Sequence, residues 1–230
     1  MQREFYFNTI KTKRVSHYMN KKITLLFVIL AANFVLSTLV KPYPFSWAIK
    51  LLPMLLLIGV AWHSLKDKAL DGRFFIAGLV FSACGDFILD YDRVNWFIFG
   101  LGAFFIAHLC YLASLKPYIK KLNQAKFHIA IIAYIIYGAF MLTLLADGLG
   151  ALFVPVVAYM SILLLMALAT VLSEKSNPWL VVGGISFVLS DSLIGFDKFY
   201  MPIENVSFAI MVSYYFAQFA LLKGFVKAKS

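Results

Sequence analysis

The sequence predicts an all-α membrane protein, a polytopic transmembrane bundle of eight helices with both termini in the cytoplasm. Three observations lead there. The 230 residues are 62% hydrophobic and only 14% charged, a balance foreign to ordinary soluble domains. The apolar residues gather into eight runs of membrane-spanning length, about 17–25 residues each. Lysine and arginine fall overwhelmingly at alternate ends of those runs, as the positive-inside rule requires.

The first run, 23–40, follows Lys21-Lys22. It has a signal peptide's basic lead but no small-x-small cleavage site, so it reads as a retained anchor. Residues 1–20 are read as a basic extension of disordered character, and 21–230 as one transmembrane domain. The second run, 46–65, begins after Lys41-Pro-Tyr-Pro, the third, 74–90, after Lys66-Asp-Lys, and the fourth, 94–115, after Asp90-Tyr-Asp-Arg. Lys116-Pro closes the fourth run, ahead of 127–146, and a tight turn near Asp147 and Gly148 is expected before 150–173. Ser173-Glu-Lys-Ser-Asn-Pro leads to 179–196, and Asp197-Lys to 205–224. Each break is polar or rich in turn formers.

Seventeen of the 21 basic residues lie at one set of ends: Arg3, Lys11, Lys13, Arg14, Lys21, Lys22, Lys66, Lys68, Arg73, Lys116, Lys120, Lys121, Lys126, Lys175, Lys223, Lys227 and Lys229. Lys41, Arg93 and Lys198 lie at the other, and Lys50 is inside the second run. The net charge of +10 is therefore explained by membrane topology, and no nucleic-acid partner is expected. Cys84 and Cys110 fall within runs and read as buried small hydrophobes.

Two aspartates interrupt this apolar pattern in matching settings: Asp86 in Gly78-Leu-Val-Phe-Ser-Ala-Cys-Gly-Asp86, and Asp191 in Gly183-Gly-Ile-Ser-Phe-Val-Leu-Ser-Asp191. A carboxylate in hydrocarbon costs about 2.5–3.5 kcal/mol even on insertion scales, so a parallel pair points to function. Superposing them also aligns Tyr91 with Phe196, Asp92 with Asp197 and Arg93 with Lys198. Four runs separate the copies, which fits a parallel 4+4 duplication; chance likeness among apolar helices is the competing reading. Each aspartate lies about 18 Å from the cytoplasmic edge at 1.5 Å per residue, at one level in the outer half of the bilayer.

Other polar groups share that level. Asp90 follows Asp86 by one turn on the same face, as a surface group or a site group. Lys50 either snorkels to the outer interface or points inward as a counter-ion. Tyr214 and Tyr215 lie near the aspartate level with Gln218 one turn deeper, for packing or for orienting a substrate. Ser82 and Ser190 are packing residues first and hydrogen-bond partners second. His108 is placed about 21 Å from the exterior, deeper than the aspartates, and reads as a core histidine bonded to a neighbouring helix. There is no His-Glu-x-x-His, no Gly-x-Ser-x-Gly, no phosphate-binding glycine loop and no cysteine cluster, so serine-hydrolase, zinc-protease and nucleotide-driven readings lack their motifs.

Phe81-Ser-Ala-Cys-Gly-Asp86-Phe-Ile-Leu89, Phe187-Val-Leu-Ser-Asp191 and Tyr214-Tyr-Phe-Ala-Gln218 resemble the YhhN-like integral membrane proteins. Lys50 with Pro53-Met54 is similar to that family's Lys-Pro segment, here with two leucines between. The likeness covers nearly all of the chain beyond residue 20, and the family includes the animal lysoplasmalogenases. It implies hydrolysis of the vinyl ether of a single-chain ether phospholipid, giving a fatty aldehyde and a glycerophospho-head group. It further implies a multi-pass protein of the cell membrane, the inner membrane in a bacterium, with lipid as both solvent and substrate.

Vinyl ethers open by acid. A proton adds to the alkene carbon distal to oxygen, water captures the oxocarbenium ion, and the hemiacetal collapses. Two carboxyls in a poorly solvated site can divide the roles of acid and charge-stabilising base, as in glycosidases. The expected catalytic pair is Asp86 and Asp191, supported by Lys50, Ser82, Asp90, Ser190, Tyr215 and Gln218, with no metal and no cofactor. A proton-coupled or small-molecule transporter is the main alternative, and a scaffold whose aspartates pair with Lys50 is a third.

Overall fold

Apolar runs become helices here because a backbone in hydrocarbon must satisfy its own hydrogen bonds. The computed structural model describes residues 20–66, 70–119 and 125–228. Apart from Asn20, the expected extension at 1–20 lies outside the described residues, as do the basic residues at 68, 120, 121 and 229. The helices are α1 Lys21–Ser37, α2 Ser46–Leu65, α3 Leu70–Tyr91, α4 Phe97–Leu115, α5 Ala125–Leu149, α6 Phe153–Leu172, α7 Pro178–Phe199 and α8 Val206–Ala228. Among the described residues, seven continuous helical stretches are long and apolar enough to cross a membrane; one of them, the 46 residues Phe127–Leu172, holds most of α5 and all of α6.

Local chemistry sets the ends. Asn20 caps α1 by accepting the Ile23 N–H. Asn177 caps α7 by accepting from Trp179 and Leu180, with Pro178 at the first helical position, where its missing N–H has no cost. The turn between α5 and α6 is not at Asp147 and Gly148, as expected, but at Gly150, whose φ of +48° is left-handed. Helix α5 continues through Gly148 to Leu149, and the Phe199 carbonyl at the end of α7 packs against Gly148. A Cβ on Gly148 would meet that oxygen at 1.8 Å. Gly148→Ala therefore forces two backbones apart and lowers stability by about 1–3 kcal/mol, the range for overpacking. A melting temperature in detergent equal to the parent's would contradict this contact.

Six helices close a ring: α2 packs on α3, α3 on α4, α4 on α6, α6 on α7, α7 on α8, and α8 returns to α2. From outside, α1 leans on α2 and α8, and α5 on α6 and α7. Exchanging the first four helices for the last four maps the ring onto itself. The most extensive contacts, α3 with α4 and α7 with α8, correspond under that exchange. Small residues permit both: Gly78 lies under the Tyr111 ring, and Gly183 against the Leu221 backbone, the usual route to close helix packing in lipid.

The chain is a multi-pass membrane protein, and its outward faces fit that solvent. Ile129, Ile136, Val154 and Leu189 are all more than half exposed, on a scale that soluble surfaces avoid. Cys84 and Cys110 belong to this picture rather than to the core. Both are free thiols, Cys84 exposed and Cys110 partly so, against the expectation that both are buried. Lipid-facing and core-facing positions are equally apolar, so composition alone does not separate them.

Candidate functional site

Asp86 on α3 is 2% exposed, and its carboxylate is held from two helices. The Lys50 ammonium, on α2, lies 3.2 Å from Oδ1 and 3.3 Å from the Asp86 carbonyl. The Tyr214 hydroxyl, on α8, donates to Oδ2. Lys50 is thus the inward counter-ion and not a snorkelling residue. Pro53, inside α2, supplies no N–H to the carbonyl four residues back. The next carbonyl, that of Lys50, accepts the Tyr215 hydroxyl at 2.7 Å, which fixes this turn of α2 against α8.

Asp191 on α7 has a different pair of partners. The Tyr159 hydroxyl, on α6, donates to Oδ2, and His108 Nε2, on α4, lies 3.5 Å from the same oxygen. His108 Nε2 is also 3.1 Å from the Tyr159 oxygen. Since the tyrosine proton goes to the carboxylate, its oxygen accepts from the imidazole, which assigns the ring proton to Nε2. Among the described residues Nδ1 has no hydrogen-bond partner.

The two centres follow one rule. Each aspartate takes one partner from the second helix of its own half, Lys50 or Tyr159. The other comes from the fourth helix of the opposite half, Tyr214 or His108. Their hydrogen-bond and ion-pair partners are disjoint, so Asp86 and Asp191 are two centres rather than a touching dyad. Phe187 stands between them, with its ring 4.6 Å from His108 and 5.6 Å from Tyr214 by centroids.

His108 corrects the depth estimate, which puts it below the aspartates. Helix α4 starts at Phe97, three residues after the expected 94, and α7 runs to Phe199, three beyond 196. Each shift brings His108 and Asp191 about 4.5 Å closer in level, and side-chain reach closes the rest.

The other expected residues divide among layers. Asp90 is buried, its side chain 6% exposed, and binds Lys41 and the Ser46 hydroxyl. Burial draws the Lys41 ammonium below the ordinary lysine range, with Asp90 opposing the shift. Gln218 and Ser82 lie one turn beneath Tyr214 and Asp86, around Tyr111: its hydroxyl donates to Gln218 Oε1 at 2.7 Å and lies 3.4 Å from the Ser82 oxygen. Ser190 is not at either centre; it donates to the Ile210 carbonyl and ties α7 to α8. Tyr159 and Tyr111 are the groups that sequence reasoning missed. The one available signal for Tyr159 was a polar ring in an apolar helix, about one turn from the position equivalent to Lys50.

Two cavities adjoin each other in the bundle. The apolar one, about 70 Å³, has Asp191 and Tyr159 on a wall otherwise built from Phe104, Met141, Leu145, Leu163 and similar residues. The polar one, about 230 Å³, is lined by Lys41, Lys50, Asp90 and Arg93. Leu89 and Ile194 line both. They are equivalent positions, three residues beyond Asp86 and Asp191, so each carboxylate lies one helical turn beneath the shared boundary. No three His, Cys, Asp or Glu side chains converge as a metal set among the described residues.

The chain matches the YhhN family model over residues 45–225. Proteins named lysoplasmalogenase from Mycobacterium bovis and Mycobacterium tuberculosis are 32% identical to it over 159 residues, 67% of this chain and 61% of theirs. The human protein named lysoplasmalogenase TMEM86B is 29% identical over 174 residues, 76% of this chain and 72% of its own length. The match thus spans less than two thirds of the mycobacterial relatives. No solved structure matches the chain.

Proposed function

Since the chain belongs to the YhhN family, we propose that it is a membrane hydrolase that opens the vinyl ether of a lysoplasmalogen-type, single-chain phospholipid. The names of the mycobacterial and human relatives support the substrate class. The observation that carries the chemistry is Asp191 on the wall of an apolar cavity, backed by His108 and Tyr159. An apolar cavity of this size suits the vinyl-ether end of an alkenyl chain, and a carboxyl on its wall suits a proton transfer to carbon.

Asp191 as the carboxylic acid gives its proton to the alkene carbon distal to the ether oxygen, and the electron pair of the double bond forms the new C–H bond. Positive charge then spreads over the ether oxygen and its attached carbon. Asp86, paired with Lys50, lies one helical turn beneath Leu89 and stabilises that charge from there. Water adds to the cationic carbon and loses its proton to the Asp191 carboxylate, restoring the acid. The hemiacetal collapses to aldehyde and alcohol. Tyr159 and His108 hold Asp191 in place, and Tyr214 holds Asp86.

The reading includes the topology: eight spans, a parallel 4+4 duplication, cytoplasmic termini, and residence in the cell membrane. The ring that maps onto itself when its halves are exchanged supports the duplication, as does the crosswise choice of partners at each aspartate. The test is aldehyde release from a lysoplasmenyl lipid by the purified full chain. Proton or substrate flux in liposomes with no aldehyde formed would favour a carrier and sink the hydrolase.

A further inference from the structure

The polar cavity has no part in protonating or hydrating an ether, yet its wall is unlike the rest of the bundle. It presents three cations, Lys41, Lys50 and Arg93, with one carboxylate, Asp90, and the hydroxyl-bearing Thr38 and Ser207. The partners of two of the cations stand off the lining: Asp86 beside Lys50 and Asp197 3.5 Å from Arg93. Lys50 and Arg93 therefore have their counter-charges set back from the cavity, while Lys41 is paired with Asp90 on its wall. The Arg93 side chain is 37% exposed, which leaves most of its five-donor fork open.

Charge placement along the chain makes the same point. Only Lys41, Arg93 and Lys198 sit at the ends that the positive-inside pattern leaves poor in basic residues, and Lys50 alone lies within a run. Lys198 stacks over the Phe97 ring at 4.3 Å. The other three exceptions all line this one cavity.

We propose that the polar cavity binds the phosphate of the lipid head group through Lys41, Lys50 and Arg93, with Asp90 facing the ammonium of a zwitterionic head. This rests on the lysolipid reading of the neighbouring chamber. The span fits: Ile194, on the wall of the polar cavity, is three residues beyond Asp191, about 4.5 Å of helix rise, and a glycerol bridge between phosphate and ether is of comparable length. A lipid laid across Leu89 and Ile194 has its phosphate among the cations and its ether end in the apolar cavity, whose volume of about 70 Å³ leaves the rest of the chain outside it.

The test uses the purified full chain and a saturated 1-alkyl lysophosphoethanolamine, which has no vinyl ether to cleave. Its binding is compared with that of the 1-alkylglycerol of equal chain length and with inorganic phosphate alone. We expect the phosphate-bearing lipid to bind about tenfold tighter than the alkylglycerol or better, the scale of one charge-assisted contact. Arg93→Gln should cut that preference to about threefold or less, with an unchanged melting temperature as the folding control. Equal binding of the two lipids by the parent protein overturns the proposal, as does a preference that survives both Arg93→Gln and Lys41→Gln. Saturation by inorganic phosphate with no preference for the lysolipid assigns the cavity to free phosphate and also overturns it. Loss of vinyl-ether cleavage alongside intact head-group preference would sink the hydrolase reading alone.

Discussion

Asp191→Asn should lower aldehyde release by about 10²–10⁴-fold, the contribution of a positioned general acid, while the bundle stays folded. An amide has no proton to give to carbon, but its oxygen still accepts the Tyr159 hydroxyl. Asp191 also borders a cavity, so the exchange leaves no buried charge unpaired. The two aspartates thus differ in what their loss does. Asp86→Asn should impair both rate and stability, because it strands the Lys50 ammonium, 7% exposed, without its carboxylate. Parallel rate and unfolding measurements on the two variants check this. If Asp191→Asn keeps the parent rate, Asp191 is not the acid.

Lys50→Met should be the most damaging single change to stability, about 3–5 kcal/mol, the range for removing one member of a buried ion pair. The desolvated Asp86 carboxylate would keep only the Tyr214 hydroxyl and would have to take up a proton to remain buried. Adding Asp86→Asn to Lys50→Met should recover most of that loss, since a neutral amide beside methionine leaves no stranded charge. Unfolding in mixed detergent, followed for the parent, both single variants and the double variant, measures the coupling. Additive losses with no recovery would mean that Lys50 and Asp86 do not act as a pair.

Much of this was readable from the chain, because a charge inside an apolar run is conspicuous. Asp86, Asp191 and Lys50 stand out by composition alone, and the matched Gly78 and Gly183 follow from aligning them. Helix facing was the obstacle. Tyr214 and Tyr215 are neighbours about 100° apart on α8, and nothing local says that Tyr214 meets the carboxylate while Tyr215 meets the Lys50 carbonyl. His108 was misplaced because depth counted from expected run ends inherits every error in those ends, three residues each at α4 and α7. The same blindness put Cys84 inside, since lipid and core select the same side chains. The crosswise pairing of each aspartate with the opposite half is a tertiary fact. Sequence carries it only as the repeat.

Turnover in D₂O is the most direct test of the central claim, that an Asp-based acid protonates the vinyl ether at carbon. The purified full chain is given a lysoplasmenyl lipid, and the aldehyde is reduced at once to its alcohol for mass analysis. The account predicts a single deuterium on the carbon next to the former carbonyl, and about 10²–10⁴-fold less product from Asp191→Asn. Aldehyde with no deuterium at that carbon, or lipid recovered intact from an active and folded preparation, would contradict it.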